Sequence, residues 1–405
     1  MGGANWMGGA ELSKNLVLAA NEVISMKGQQ KDIEVVLLGG NLAELKSRLN
    51  ISETAARQLS GMPWPPQFCY EEPPPWRAVP KLSRWFFGSW PNAEEQQRRH
   101  ETKMLANEDF DFVYGLAEAP LSEAITSGGW IPDLQHCEFP DLFSNEECES
   151  RDQWIEASCR EHDLIVFSSR HAREGFRNHF PRLDANTRTS VLPFRVGIDE
   201  QIFEKGPSRV AEQYGLPSEF LLVCNQFWKH KNHFVILDAL SRLKEMGISP
   251  VVAMTGRLYD YRHPNYVDDL LRAVQERGLH GSVRLLGLIP KEDQLRLMTE
   301  AKAVIQPSLF EGWNTCVEEC HALGTHMFLS DIPVHREQQP PCSHYFDPED
   351  SEALGRLMSM PVPSVDLGSL EALKKYRNLF LEFGERFLEI SGATNASSSE
   401  ARIRS

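Results

Sequence analysis

Apolar positions along this chain follow two periods that alternate with each other. In the second half, short apolar runs at 220–224, 250–255, 282–286, 303–307, 325–330 and 343–347 have the length of buried strands. Between them a 3.6-residue period predicts helices over 234–246, 266–276 and 292–301, and a brief one that opens near Thr315 and stops at Gly324. The first half repeats the scheme less regularly. Strands are expected at 33–39, 112–116, 163–169 and 189–196, and helices at 11–26, 42–49, 54–59, 151–159 and 172–180. Strand-helix alternation of this kind implies an α/β fold of doubly wound parallel sheets, and 405 residues suffice for two domains. The expected division is a first domain over 1–196, a linker over 197–209 and a second domain over 210–365. A helix over 366–390 suits packing back between the domains, and a small, polar, disordered tail occupies 391–405.

In doubly wound sheets ligands bind beyond the carboxyl ends of the strands, so the loops there carry the candidate chemistry. The strand at 303–307 delivers the chain into Ser308, Glu311, Gly312, Trp313 and Asn314, after which Thr315 and Glu318 have the S/T-x-x-E spacing of a capping box. On that reading Glu318 is committed to the cap, and Gln there is expected to be nearly neutral. Glu319 is left free for a ligand hydroxyl, Gly312 lets the backbone come close, and the helix start is an anion site. The loop after 220–224 runs through Asn225, Gln226, Lys229, His230, Lys231 and His233, polar and cationic. Thr255-Gly256-Arg257 and Gly287-Leu288-Ile289 end the next two strands.

In the first half, Gly8 and Gly9 are expected in a Gly-rich loop, before the first helix, that holds phosphate or sugar. Asp133, Gln135, His136 and Glu138 crowd one short stretch beside an apolar strand end. Polar groups that dense are costly to bury unpartnered and belong on a loop facing a cleft. Asp109-Phe110-Asp111 has the form of a metal-diphosphate triplet but leads straight into a strand, and is read as a polar strand start. Residues 63–91 are Pro-rich, aromatic and basic, an insertion whose rings fill a local core or, as the second choice, meet a membrane surface or large acceptor.

A net charge of −15 argues against general nucleic-acid binding, and requires any anionic ligand to be met by local cations or helix ends. No apolar run approaches the roughly 20 residues of a membrane span and no leader pattern opens the chain. The expected location is cytoplasmic, with the inner membrane surface as a peripheral alternative. The 8 cysteines include no C-x-x-C pair and are read as reduced core thiols, with no metal expected.

Pro307-Ser308-x-x-Glu311-Gly312-Trp313, with Glu319 after seven intervening residues, resembles the signature of family 4 retaining glycosyltransferases. Pro132-Asp133-Leu134-Gln135-His136 is similar to the Pro-Asp-Phe-Gln-His segment of a bacterial subgroup of that family. The resemblance implies the GT-B fold, two Rossmann-like domains with a cleft between them, and sugar transfer from a nucleotide-diphosphate sugar without other cofactor. The acceptor would be a glycan, a lipid-linked or another hydroxyl compound. It implies catalytic roles for His136, Glu311 and Lys231, with Asp133 and Glu138 on the acceptor side. Donor contacts would come from Gly8, Gly9, Gln226, Lys229, Lys231, Thr255, Gly256, Gly287, Leu288, Ile289, Gly312, Trp313, Asn314, Thr315 and Glu319. Glu319 would hold the ribose, and the amides at Asn314 to Cys316 the diphosphate. Lys231 matches the family's Lys, whereas Gln226 stands at its Arg position, with Lys229 or His230 as substitutes. The rival readings are a GT-B epimerase or phosphorylase and a non-catalytic nucleotide-sugar-binding protein.

Overall fold

The computed structural model describes residues 7–28, 37–39, 56–58, 111–115, 125–204, 210–362 and 370–392. The expected helix at 42–49, the insertion at 63–91, Asp109, Phe110, part of the linker and the tail from 393 lie outside the described residues.

Two parallel sheets organise the first half. Strands β1 (Leu37–Gly39) and β2 (Ala56–Gln58) pair with each other, and β3 (Phe112–Tyr114), β4 (Thr126–Ile131), β5 (Leu164–Phe167) and β6 (Thr189–Val191) lie in that order in a second sheet. The stretch expected as a helix at 54–59 is therefore strand β2 at its centre, the pairing with β1 overriding a weak helical period. The strand β3 starts directly after Asp111, whose carbonyl accepts from Thr126 at 3.0 Å. Helix Asn145–Glu161 begins six residues earlier than its apolar period suggests, because Ser144 and Glu147 form a capping box there. Gly8 and Gly9 are not in a loop: they sit in the first turn of helix Met7–Met26, so the phosphate-loop expectation for them is corrected.

The second half forms one six-stranded parallel sheet from β7 (Leu221–Cys224), β8 (Val252–Thr255), β9 (Val283–Gly287), β10 (Ala303–Gln306), β11 (Met327–Ser330) and β12 (Ser343–Phe346). Their spatial order is β12-β11-β10-β7-β8-β9, so the winding reverses between the neighbours β7 and β10. The crevice at such a reversal point, at the carboxyl ends of the strands, is where ligands of doubly wound sheets bind. Strands β8, β10 and β11 are buried throughout, as a sheet covered on both faces requires.

Helix Leu370–Ser391 joins the two halves. Tyr376, Phe380, Phe383 and Phe387 pack against Leu16, Ala19, Ala20 and Val23 of the first helix and against Leu164, Val166 and Phe194, while Leu373 belongs to the same cluster as Ala322 of the second half. The two long helices approach closely at Gly384, where a Cβ would stand 2.5 Å from the Ala19 carbonyl group. Ala in place of Gly gains about 1 kcal/mol of helix propensity, whereas overpacking against unyielding backbone costs roughly 1–3 kcal/mol. Gly384→Ala is accordingly expected to lower the thermal unfolding midpoint. A raised midpoint would show that the helices separate freely.

Candidate active site

The loops that leave β7 and β10 meet at the crevice. Lys229–Lys231 makes a single 3-10 turn closed by Asn232 in the left-handed region at φ 56°, and Asn232 Nδ2 donates to the carbonyls of Pro307 and Pro348 at 3.1 and 2.8 Å. That anchoring aims Lys231 across the crevice, where its Nζ donates to both oxygens of Glu311 at 2.7 and 2.8 Å. Ser308 Oγ donates to Glu311 Oε1 at 2.6 Å and Asn314 Nδ2 reaches the same oxygen at 3.3 Å. Behind Asn314, its Nδ2 meets His335 Nε2 at 3.0 Å, and His335 Nδ1 lies 2.9 Å from the Ser330 carbonyl. Burial pulls the His335 pKa below its ordinary value, so the neutral ring serves Asn314 as an acceptor. The fold thus brings Lys231, Glu311 and Asn314 into one hydrogen-bonded group, with Gly312 in the same loop.

Asn314, not Thr315, is the N-cap of helix Thr315–Leu323: its Oδ1 accepts from the Val317 amide at 3.3 Å. The capping box expected of Thr315 and Glu318 does not form. Glu318 instead points away from the helix start, fully buried, and accepts from Arg195 Nη1 at 2.8 and 2.7 Å, Gln338 Nε2 at 2.8 Å and the Tyr376 hydroxyl at 2.8 Å. Glu319 is not a free carboxylate either. It is buried, paired with Lys291, and accepts from Gln294 Nε2 at 3.3 Å.

At the neighbouring strand ends, Thr255 Oγ1 and the Gly256 amide both donate to the Gly287 carbonyl, at 2.8 and 3.0 Å. Gly256 adopts φ 148°, and a Cβ there would stand 2.0 Å from the Asn225 carbonyl oxygen, so no side chain fits. Leu288 is exposed, Ile289 and Gln226 are half-buried, and Lys229 is exposed. His230 is buried, and burial, with Lys231 and Arg262 beside it, holds its pKa well below the ordinary value. It is therefore no substitute cation. The cation that does lie close is Arg262, in the loop after β8, with Nη2 3.4 Å from His230 Nδ1. Nothing periodic marks Arg262 in the sequence.

The first half closes over this crevice. A Cβ on Gly312 would lie 2.6 Å from the Pro132 carbonyl oxygen and 2.8 Å from Asp133 Cβ. Trp313 Nε1 donates to the Phe194 carbonyl at 2.8 Å, and the rings of Phe139 and Phe310 meet edge-on at 5.8 Å. Arg262 Nη1 reaches Gln135 Oε1 at 3.3 Å. Asp133, just before the short helix Gln135–Glu138, accepts from the Gln135 amide at 3.0 Å. Glu138, expected on the acceptor side, is held by His171 at 3.0 Å, a contact that raises the His171 pKa. His136 is buried, its Nε2 3.0 Å from Asp152 Oδ1. Asp152 lies sixteen residues further on, on a helix with no marked stripe, which is why the sequence did not disclose it.

The architecture is that of a GT-B protein. Residues 208–358 match the family model described as Glycosyl transferases group 1, which with the fold supports that family. No curated protein matches the chain. Among solved structures, the chain is similar to Anabaena HepE in complex with UDP and glucose, at 15% identity and TM-score 0.63 over 96% of this chain and 97% of that one. A glycosyltransferase from Rickettsia africae gives 15% identity and TM-score 0.62, covering 94% of each chain. Sucrose-phosphate synthase from Thermosynechococcus elongatus gives 15% and 0.57 over 76% of this chain and 81% of that one.

Two outcomes are expected. Glu318→Gln, which strips a buried charge from Arg195, should destabilise the protein by about 3–5 kcal/mol in urea unfolding, where a cap role would predict little change. His233, stacked on Phe227 at 4.4 Å, has its pKa driven by burial down to about 3. Its folded-state pKa lies below the unfolded value of about 6.5, so its contribution is present above pH 6.5 and is lost as pH falls toward 3. Unfolding midpoints measured across that window should fall less steeply for His233→Phe than for the parent protein.

Proposed function

We propose that this protein is a retaining glycosyltransferase that moves a sugar from a nucleotide-diphosphate sugar to a hydroxyl acceptor, a glycan or a lipid-linked compound. The observation that carries the reading is the Lys231–Glu311 pair at the winding reversal of the six-stranded sheet, beside the amino end of helix Thr315–Leu323. HepE, of the same fold, is described in complex with UDP and glucose. When the bond from the anomeric carbon to the diphosphate breaks, negative charge gathers on the leaving oxygen. Lys231 spends two hydrogen bonds on Glu311, and its third donor can meet that charge, together with the first amides of the helix, which have no partner within it. Glu311, fixed by Ser308 and Asn314, lies where a carboxylate can orient the sugar, and Glu319 is assigned to the ribose. His136 and Asp133 face the transferred sugar and acceptor from the first half. With cations supplied by the protein, turnover is proposed to need no divalent metal.

A thermal-stabilisation screen across UDP-, GDP- and ADP-sugars identifies the donor, and transfer is then assayed with chelator present. Lys231→Ala should weaken donor binding and turnover together by roughly 1.5–3 kcal/mol, the size of a charge-assisted hydrogen bond. Donor binding without transfer or hydrolysis would leave the non-catalytic reading standing, and unchanged kinetics for Lys231→Ala would remove that residue from the site.

A further inference from the structure

His136 lies in an asymmetric setting. Its Nε2 lies 3.0 Å from Asp152 Oδ1, with Cys137 Sγ 3.4 Å from the same nitrogen. Its Nδ1 is buried and has no hydrogen-bond partner among the described residues. Leaving a buried polar atom unmatched is costly, a cost that makes sense where a ligand supplies the missing partner. Asp152 comes from helix Asn145–Glu161, packed behind the short helix that carries His136, and about half of its side chain is exposed. Arg151 from the same helix and Asp133 from the loop after β4 also act on the ring, and Phe143 meets it edge-on at 6.4 Å.

An ionised carboxylate can only accept, so its partner nitrogen must carry the hydrogen. Burial, the largest influence, pulls the His136 pKa below its ordinary value against the opposing pull of Asp152, so near neutral pH the ring carries one hydrogen. We propose that Asp152 is the positioning residue for His136: it keeps the hydrogen on Nε2, so that Nδ1 presents a lone pair that accepts from a hydroxyl of the transferred sugar. This rests on the reading of His136 as a sugar contact. It goes further in giving the ring a single polarity: the site then favours sugars with a free hydroxyl at that position over deoxy, fluoro or O-alkylated ones, which have no hydrogen to give. A hydrogen bond of about 0.5–1.5 kcal/mol sets the scale at roughly two- to twelvefold in kcat/KM.

The test uses the full-length protein with 15N-labelled histidine, the His136 signals being assigned by their loss in His136→Ala. Parent protein should show hydrogen on Nε2 and a bare Nδ1. Asp152→Leu, at a half-exposed position that tolerates the change, should lose that preference. Its kcat/KM should fall about three- to tenfold, and the acid limb of its pH profile should move to lower pH, because removing the carboxylate removes its support for the imidazolium. Asp152→Asn, which still offers an oxygen, should keep the tautomer and recover part of the rate. A bare Nε2 in the parent protein, or an unchanged tautomer and acid limb in Asp152→Leu while His136→Ala is inactive, would overturn the positioning role alone. Full turnover by His136→Ala would overturn the sugar contact beneath it. One equivalent of bound zinc, lost in Asp152→Leu, would make His136, Cys137 and Asp152 metal ligands and overturn the proposal as well.

Discussion

The carboxylate of Glu318 is the fixed point of this molecule. Removing a charge from water costs several kcal/mol unless partners replace the lost hydration, and here they do so from three separate segments. Arg195 follows β6 of the first half, Tyr376 belongs to the helix that joins the halves, Gln338 to helix Pro333–Gln338, and Glu318 itself to the helix at the crevice. The Tyr376 hydroxyl also accepts from the Val196 amide at 3.1 Å, and Arg195 lies over the Trp313 ring at 5.7 Å. The two halves are therefore joined within a few residues of Glu311, and the relative placement of Lys231 and His136 depends on that junction.

Much of this was legible in the sequence. The six strands of the second half and the helix at its end follow from alternating period, because a parallel sheet covered on both faces demands continuous apolar runs. Lys231 and Glu311 stand after strand ends in the sequence, and the winding reversal between β7 and β10 places those two loops side by side. Helix caps are less legible. Thr315 and Glu318 have the spacing of a capping box, but Asn314 one residue earlier takes the cap, and the Glu318 side chain then falls on the buried face. Conversely, Ser144 and Glu147 have the same spacing and do form the box, which starts helix Asn145–Glu161 ahead of its apolar period. Spacing identifies a box; only burial says which carboxylate is needed elsewhere.

Partners distant in sequence were not legible at all. Lys291 for Glu319, Asp152 for His136, His335 for Asn314 and Arg262 for Gln135 each come from an element whose own pattern gives no hint of the contact. These residues decide whether a candidate side chain is available to a ligand, and they correct the picture for Glu319, Glu138 and His230. What the motif supplies is the inner ring of groups; what the fold adds is the state in which they are held.

On the outer side of the cleft, the amide nitrogens of Arg170 and His171 donate to the Glu337 carboxylate at 2.9 and 3.3 Å, at the start of helix Arg170–His179. The helix belongs to the first half and the carboxylate to the second, so the same contact is at once a helix cap and a clasp. Parting the halves there exposes two amides that water must then satisfy, and it loosens the first turn of the helix that carries His171 against Glu138. Ser169, from the same half, still holds the Ala172 amide through its Oγ at 3.0 Å, so the helix has one cap that belongs to its own half and a second that exists only while the halves are together.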